Sequence, residues 1–390
     1  MQPLVIVNYT GEAYPEEIIG LERRIIASVK AKFDVVLLDA AGRAKGRGNA
    51  TWINYPKKPY KVKFDEKQSP FGFPSNKDWT LLAEYCDKSF LRTAYMHELA
   101  RLVDFPYIIN YRHVQLYMND NYMGMYILAD QVEKKSNRVN IEDDGFLFEN
   151  DNHWSQEPLN FRTSRKGYYY TFKYPDPEDG EIAKGDENYN FISGFMADVE
   201  NALYGENFKD PVNGYRKYLD VSTFVKWFLV QELLGNYDPN MYYVLPSRNS
   251  KIQIGPIWDA EWSLGLAYTA DEYSGWASLP TKPDSEQGIW TERKYFGRLF
   301  EDPYFVDQVV QAWGELQTKL PELRSKIAAV ADSISEDQEQ NFVKWDILDK
   351  YVSVDLVCNY TWEGEVEYAA EFFEKRVDYM NRKLQQLSSK

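Results

Sequence analysis

The chain has 390 residues, with 45 basic against 60 acidic side chains and a formal net charge of −15. That balance excludes a nucleic-acid binder whose surface as a whole displaces condensed counterions, since such proteins present a basic face. Apolar residues make up 44% of the chain and aromatic residues 16%, a load that disordered acidic chains lack, so the composition implies a globular protein with a sizeable core.

Three further exclusions follow from the residue inventory. No run of apolar residues is long enough to span a membrane. The opening MQPLVIVNYT has neither a basic n-region nor a small-residue cleavage site, so it does not read as a signal peptide, and the compartment stays open. Cys86 and Cys358 are the only cysteines, and His97, His113 and His153 lack zinc-ligand spacing, which argues against a disulfide scaffold or a zinc enzyme.

In chain order, Pro3 to Asn8 and Phe33 to Leu38 read as short apolar strands. Tyr60 to Phe64 alternates with period two, placing Tyr60, Val62 and Phe64 on one face and Lys61 and Lys63 on the other. Leu91, Tyr95, Leu99 and Leu102 form a helical stripe over Phe90 to Val103, with Ser89 as its cap. His113 to Met118 and Met123 to Ala129 flank Asn119-Asp120-Asn121, a hairpin signal. Gly145 to Glu149 reads as a strand, and Asn160 to Asp179 as loop and strand.

The second half turns helical. A helix over Phe191 to Leu203 stops at Gly205, and another over Thr223 to Leu234, capped by Ser222, stops at Gly235. Met241 to Leu245 and Ile252 to Trp258 read as strands. From Asp302 onward the pattern is helix, broken near Pro321 and Ser335. No repeat appears. Strands first and helices later imply an α+β fold, with a boundary near residues 175–190.

Four segments carry candidate chemistry. Between Ala41 and Lys63 there are seven basic residues and no acidic one, interleaved with glycines that let a backbone approach an anion. This suits a phosphate site, and equally a solvated hairpin edge guarded by lysines. It is not a Walker loop, because Gly-Lys-Ser/Thr is absent. Asp238-Pro239-Asn240 follows a helix stop, where an acid and an amide can supply a base and a metal ligand, although these are also the commonest turn residues. Asp259 ends an apolar run between Trp258 and Trp262, which implies a poorly hydrated carboxylate in need of a cation such as magnesium, or of backbone amides. The helix after Ser89 carries Glu98, a candidate partner for a strand lysine or a plain surface glutamate.

GRGNATW (46–52), KKPYKVKFD (57–65), DWTLLAEYCDKSFLR (78–92), NDNYMGMYILADQVEKKSNRVNI (119–141), GFLFEND (145–151), FKYPDPED (172–179) and GPIWDAEWSLG (255–265) occur in this order. Together they resemble the CotH kinase family, the spore-coat protein H-like atypical kinases, from about residue 30 to the end. The resemblance implies a two-lobed, protein-kinase-like α+β fold, with a β-rich lobe over 1–180 and a mostly helical lobe over 181–390. It implies ATP and Mg2+ (or Mn2+) as cofactors and transfer of phosphate to serine or threonine hydroxyls of a protein. By that resemblance Asp259 is the metal-binding aspartate and Asp238 the catalytic one. Arg47, Gly48 and Asn49 fall in a nucleotide-covering loop, and Lys61 or Lys63 at the phosphate-binding lysine. Lys63, deeper in its strand, is preferred, and Lys173 is a further candidate. Glu98 is the helix partner, and Glu149 lies at the inter-lobe connection.

The chain departs from the family pattern twice. The turn after Asp238 is short, with Met241 at one asparagine position, leaving Asn240 as the second metal ligand. Glu261 stands where many relatives have aspartate. The short turn also suits a pseudokinase, and the aromatic load suits a surface carbohydrate binder. The acidic remainder of the chain suits a basic protein acceptor. The family implies a bacterial, spore-coat or cell-surface setting.

Overall fold

The computed structural model describes residues 4–9, 23–30, 37–236, 238–266, 295–352 and 355–388, with side-chain surroundings from residue 40 onward. In chain order the elements are β1 (Leu4–Tyr9), β2 (Arg23–Lys30), β3 (Leu37–Gly46), α1 (Ala50–Asn54), β4 (Tyr60–Gln68), β5 (Asn76–Leu82), α2 (Arg92–Leu102), β6 (Tyr111–Met118) and β7 (Asn121–Asp130). There follow β8 (Phe146–Asn150), β9 (Asn160–Arg162), β10 (Tyr169–Tyr174), α3 (Glu187–Tyr204), α4 (Val221–Leu234), β11 (Met241–Leu245) and β12 (Gln253–Ile254). The chain ends in α5 (Phe296–Leu299), α6 (Pro303–Ile334), α7 (Asp337–Lys344) and α8 (Trp362–Ser388). The fold is α+β: strands dominate the first 180 residues and helices the rest.

The chain groups into two compact units, each assembled from separate stretches. One comprises Met1–Ala94, Ile109–Gln131 and Arg324–Ala369; the other comprises Tyr95–Ile108, Val132–Leu323 and Ala370–Lys390.

The first unit contains a closed barrel in the order β1-β2-β3-β4-β5-β7-β6, sealed by parallel pairing of β1 with β6. Closure leaves no strand edge to pair with another chain. The period-two reading of β4 holds: Tyr60, Val62 and Phe64 fill the barrel with Trp79, Leu81, Val114, Leu116, Tyr126 and Leu128. Ala40 and Ala44 on β3 are small inward residues that make room for these rings. Lys61 and Lys63 face outward and are half-buried. The β6–β7 hairpin turns at Asn119 and Asp120, both with positive φ, as expected for residues that tolerate the left-handed region. Helix α7 is stapled to β7, where Asn341 accepts from the Met125 amide at 3.1 Å and the Trp345 indole donates to the Met123 carbonyl at 2.8 Å. Gly124 permits this approach, since a Cβ there would lie 2.7 Å from both side chains.

The second unit contains a five-stranded sheet in the order β12-β11-β8-β10-β9. One face is an aromatic core in which Phe148, Phe161, Tyr170 and Tyr243 meet at centroid distances of 5.2–6.0 Å. Helix α4 is buried on nearly every side, from Thr223 to Leu234.

Several local expectations need correction. Residues 33–36 of the early strand lie outside the described residues, and the strand there begins at Leu37. Asp220, not Ser222, is the cap position of α4. The start of α2 is held chiefly by Asp87, which accepts from the Arg92 amide at 2.8 Å, while the Ser89 hydroxyl accepts from Leu91. Strand β12 is two residues long, because Gly255 and Pro256 follow it. Pro321 does not break its helix: α6 runs through it, with Leu316, Leu320, Leu323 and Ile327 buried along one face. That apolar stripe outweighs the one lost amide donor.

His97 and His113, one in each unit, are buried. Burial, with Arg101 nearby, pulls His97 down to about 3. Burial pulls His113 down to about 4 against the opposing effect of its bond to the Phe90 carbonyl. A folded pKa below the ordinary 6.5 means stability that is present above that pH and lost as pH falls. Neither imidazole is expected to titrate between about pH 5 and 8 in the folded protein. Histidine NMR signals from both rings moving through a midpoint near 6.5 would contradict their burial as neutral groups.

Candidate active site

In the first unit the basic run divides by strand geometry. Lys57 is 1% exposed and belongs to the interior: its ammonium donates to the Met125 carbonyl and to Asn341, and sits over the rings of Phe90 and Tyr126. Lys58 donates to the Trp52 carbonyl at 2.6 Å, where α1 ends. The remaining strand cations form a grid, with Arg43 opposite Lys63 and Lys45 opposite Lys61. Like charges directly opposite repel, so the grid favours an anion nearby. Asp78 supplies one, 3.1 Å from Lys61.

Arg47, Gly48 and Asn49 join β3 to α1. The Arg47 amide donates to the Pro59 carbonyl, and Asn49 accepts from the Trp52 and Ile53 amides through its backbone. Gly48 has φ of +81°, which accounts for glycine by backbone conformation alone. Gly46 lies against the Trp52 ring, where a Cβ would sit at 2.4 Å.

In the second unit Glu98 pairs with Arg101 one helical turn away, at 3.1 Å. The two candidate aspartates lie at the two ends of one hairpin: Asp238 precedes β11 and Asp259 follows β12. Helix α4 ends at Gly235 in the left-handed conformation, and Asn236 comes next, 1% exposed. Its side-chain amide donates to the Asp259 carbonyl at 2.7 Å, while its side-chain oxygen accepts from the Asp238 amide at 3.3 Å. One buried side chain therefore ties the Asp238 turn to the Asp259 turn. The Leu264 amide, donating to the Leu234 carbonyl at 2.7 Å, adds a second tie.

Asp259 is exposed, contrary to the poorly hydrated setting expected between two tryptophans. Its φ of +67° turns it outward while Trp258 and Ala260 on either side stay buried. Glu261 is the more buried carboxylate, at 9% exposure. Asp238 and Asn240 are half-buried, and Met241 is a buried β11 residue opposite Asn150.

Glu149, on β8, stands directly opposite Tyr242 on β11 and Thr171 on β10. The Lys173 ammonium lies 3.3 Å from it and 4.0 Å from Glu157. Burial pushes the Glu149 carboxyl up to about 7, although Lys173 opposes the shift. Burial pulls Lys173 down, but Glu149, Tyr242 and Glu157 outweigh it and hold the ammonium above its ordinary range.

The donors at the two turns fit a hard divalent cation. Asp259 offers an exposed carboxylate. Asn240 directs its amide nitrogen to the Tyr242 hydroxyl at 3.4 Å, which turns its oxygen the other way. Among the described residues no three His, Cys, Asp or Glu side chains gather as a metal site. Magnesium suits such a sparse set, since it binds one or two carboxylates and takes its other ligands from phosphate and water.

Sequence reasoning placed the two aspartates in separate segments and missed Asn236, whose single polar side chain carries no periodic signal. It also missed the pairing of Glu149 with Lys173, which depends on the register of β8 against β10.

The family model described as CotH kinase protein matches residues 44–380 of the chain. No curated protein matches it significantly.

Proposed function

Because the chain belongs to the CotH kinase family, we propose that it is an atypical protein kinase that transfers the γ-phosphate of ATP to serine or threonine hydroxyls of a protein. The observation that carries the reading is the Asn236 tie, which keeps the Asp238 and Asp259 turns together at the ends of one hairpin. Phosphoryl transfer asks for positioned charge more than for covalent chemistry, and two fixed acidic turns supply it.

In this reading Asp238 accepts the proton of the acceptor hydroxyl as its oxygen bonds to the γ-phosphorus. The bond from that phosphorus to the β–γ bridging oxygen breaks, and its electron pair leaves with ADP. Asp259 and Asn240 would hold Mg2+ or Mn2+, which supplies positive charge to the phosphate oxygens. Arg47, Gly48 and Asn49, with the outward Lys61 and Lys63, are assigned to the nucleotide, as are Glu98 and Glu149. The two-lobed kinase-like fold, with lobes over 1–180 and 181–390, is part of the proposal, as is a spore-coat or cell-surface setting. No helix among the described residues is long and apolar enough to cross a membrane. The acceptor is proposed to be a basic protein, matching the net charge of −15.

A thermal-shift titration with ATP, with and without Mg2+, tests the reading. Saturation at 100 times Kd adds about 2.7 kcal/mol of apparent stability. The wild type is expected to gain that shift only with metal, and Asp259→Ala to lose it. No shift in the wild type, together with no transfer of labelled phosphate to itself or to a basic protein, overturns the assignment. The buried Met241 favours one alternative, a nucleotide-binding pseudokinase; metal-dependent binding without turnover would select it.

A further inference from the structure

Of the lysines near candidate phosphate positions, Lys173 shares a polar line with the Asp238 turn. Asn240, two residues after Asp238, donates to the Tyr242 hydroxyl at 3.4 Å. Tyr242 lies directly across the sheet from Glu149, and Glu149 holds the Lys173 ammonium at 3.3 Å. The groups facing Lys173 are Glu149 on β8, Glu157 after it and Tyr242 on β11; Asp151 also acts on Glu149. The Lys173 side chain is 27% exposed, against 12% for Glu149. The carboxylate is thus the buried half of the pair and the ammonium the half that reaches outward. A strand lysine fixed by a buried acid presents its charge with little freedom left to lose on binding, which favours contact with an anion.

We infer that Lys173 is the phosphate-contacting lysine of this protein and that Glu149 is its positioning residue, the pair acting on the nucleotide held at the Asp238 turn. The inference rests on the kinase reading above. Lys61 has the same kind of partner in Asp78, at 3.1 Å, but it lies on the barrel, on no element that carries Asp238 or Asp259. Lys173 stands on the sheet that contains β11, and β11 begins where the Asp238 turn ends.

The test compares ATP, ADP and adenosine binding by thermal shift in the presence of Mg2+, using full-length protein. Lys173→Met is expected to weaken ATP binding roughly 10- to 100-fold, the loss of one charge-assisted contact, and to leave adenosine binding unchanged. Lys173→Arg should restore part of the ATP affinity. Because Lys173→Met strands Glu149 as an unpaired buried acid, the double variant Glu149→Gln/Lys173→Met removes both charges while keeping the shape. It should fold as the wild type does and show the same loss for ATP. Glu149→Gln alone should weaken ATP several-fold and spare adenosine, a split that a purely structural role would not produce. If the wild type binds ATP with metal and both Met-containing variants bind it equally well, the inference fails while the kinase reading stands. If the wild type binds no nucleotide, both fail.

Discussion

Asp238→Ala is expected to lower phosphate transfer by about 10²- to 10⁴-fold while ATP binding persists, the cost of removing the group that takes the hydroxyl proton. Asp238 is half-buried on a turn whose backbone is fixed by Asn236, so its carboxylate is placed before the acceptor arrives. Asp259→Ala should behave differently. It removes the exposed carboxylate assigned to the metal, so metal-dependent binding and transfer should fall together. Steady-state kinetics on both variants, beside nucleotide titrations, separate the two roles. Equal loss of ATP binding in Asp238→Ala would mean that this residue holds ligand instead of moving a proton.

Arg376→Met is expected to destabilise the protein by about 3–5 kcal/mol, the usual consequence of removing one partner from a buried ion pair. Arg376 is 1% exposed and Glu232 fully buried, with guanidinium and carboxylate 2.7 Å apart. The Arg376 Nε also donates to the Glu232 carbonyl at 2.6 Å, near the end of α4, so the same side chain satisfies a backbone acceptor there. Glu232 lies six positions before Asp238 on the helix that delivers the catalytic turn. Replacing both partners, as Arg376→Met/Glu232→Leu, should recover a large part of the loss, because no charge is left buried alone. Urea midpoints for the three variants measure this. A single-variant loss below about 1 kcal/mol would show the pair to be solvated in solution.

How far the sequence carries depends on the range of the interaction involved. Alternation along Tyr60 to Phe64 is a local, period-two signal, and it correctly sorted inward rings from outward lysines. The Gly205 and Gly235 stops and the Asn119-Asp120 turn are likewise decided within a few residues. The hydration of Asp259 was misjudged because a single positive φ reverses the side that neighbouring composition suggests. Pro321 was misjudged because a local break signal was overridden by a long buried stripe on α6. The uniform basic run was misleading in a third way. Charge counts treat Lys57 and Lys61 alike, yet one lies among Phe90, Tyr126 and Asn341 and the other faces outward.

Composition, strand alternation and the ordered motifs were therefore enough for an α+β globular chain of the CotH kinase family, because each is written in local residue choice or in motif order. Register, closure and long-range pairing were not. The sealing of the barrel by β1 against β6, the return of residues 324–369 to the barrel unit, the Asn236 tie and the Glu149–Lys173 pair all join residues far apart in sequence. Such contacts depend on where whole elements pack, and packing is a property of the folded chain that no short window of sequence contains.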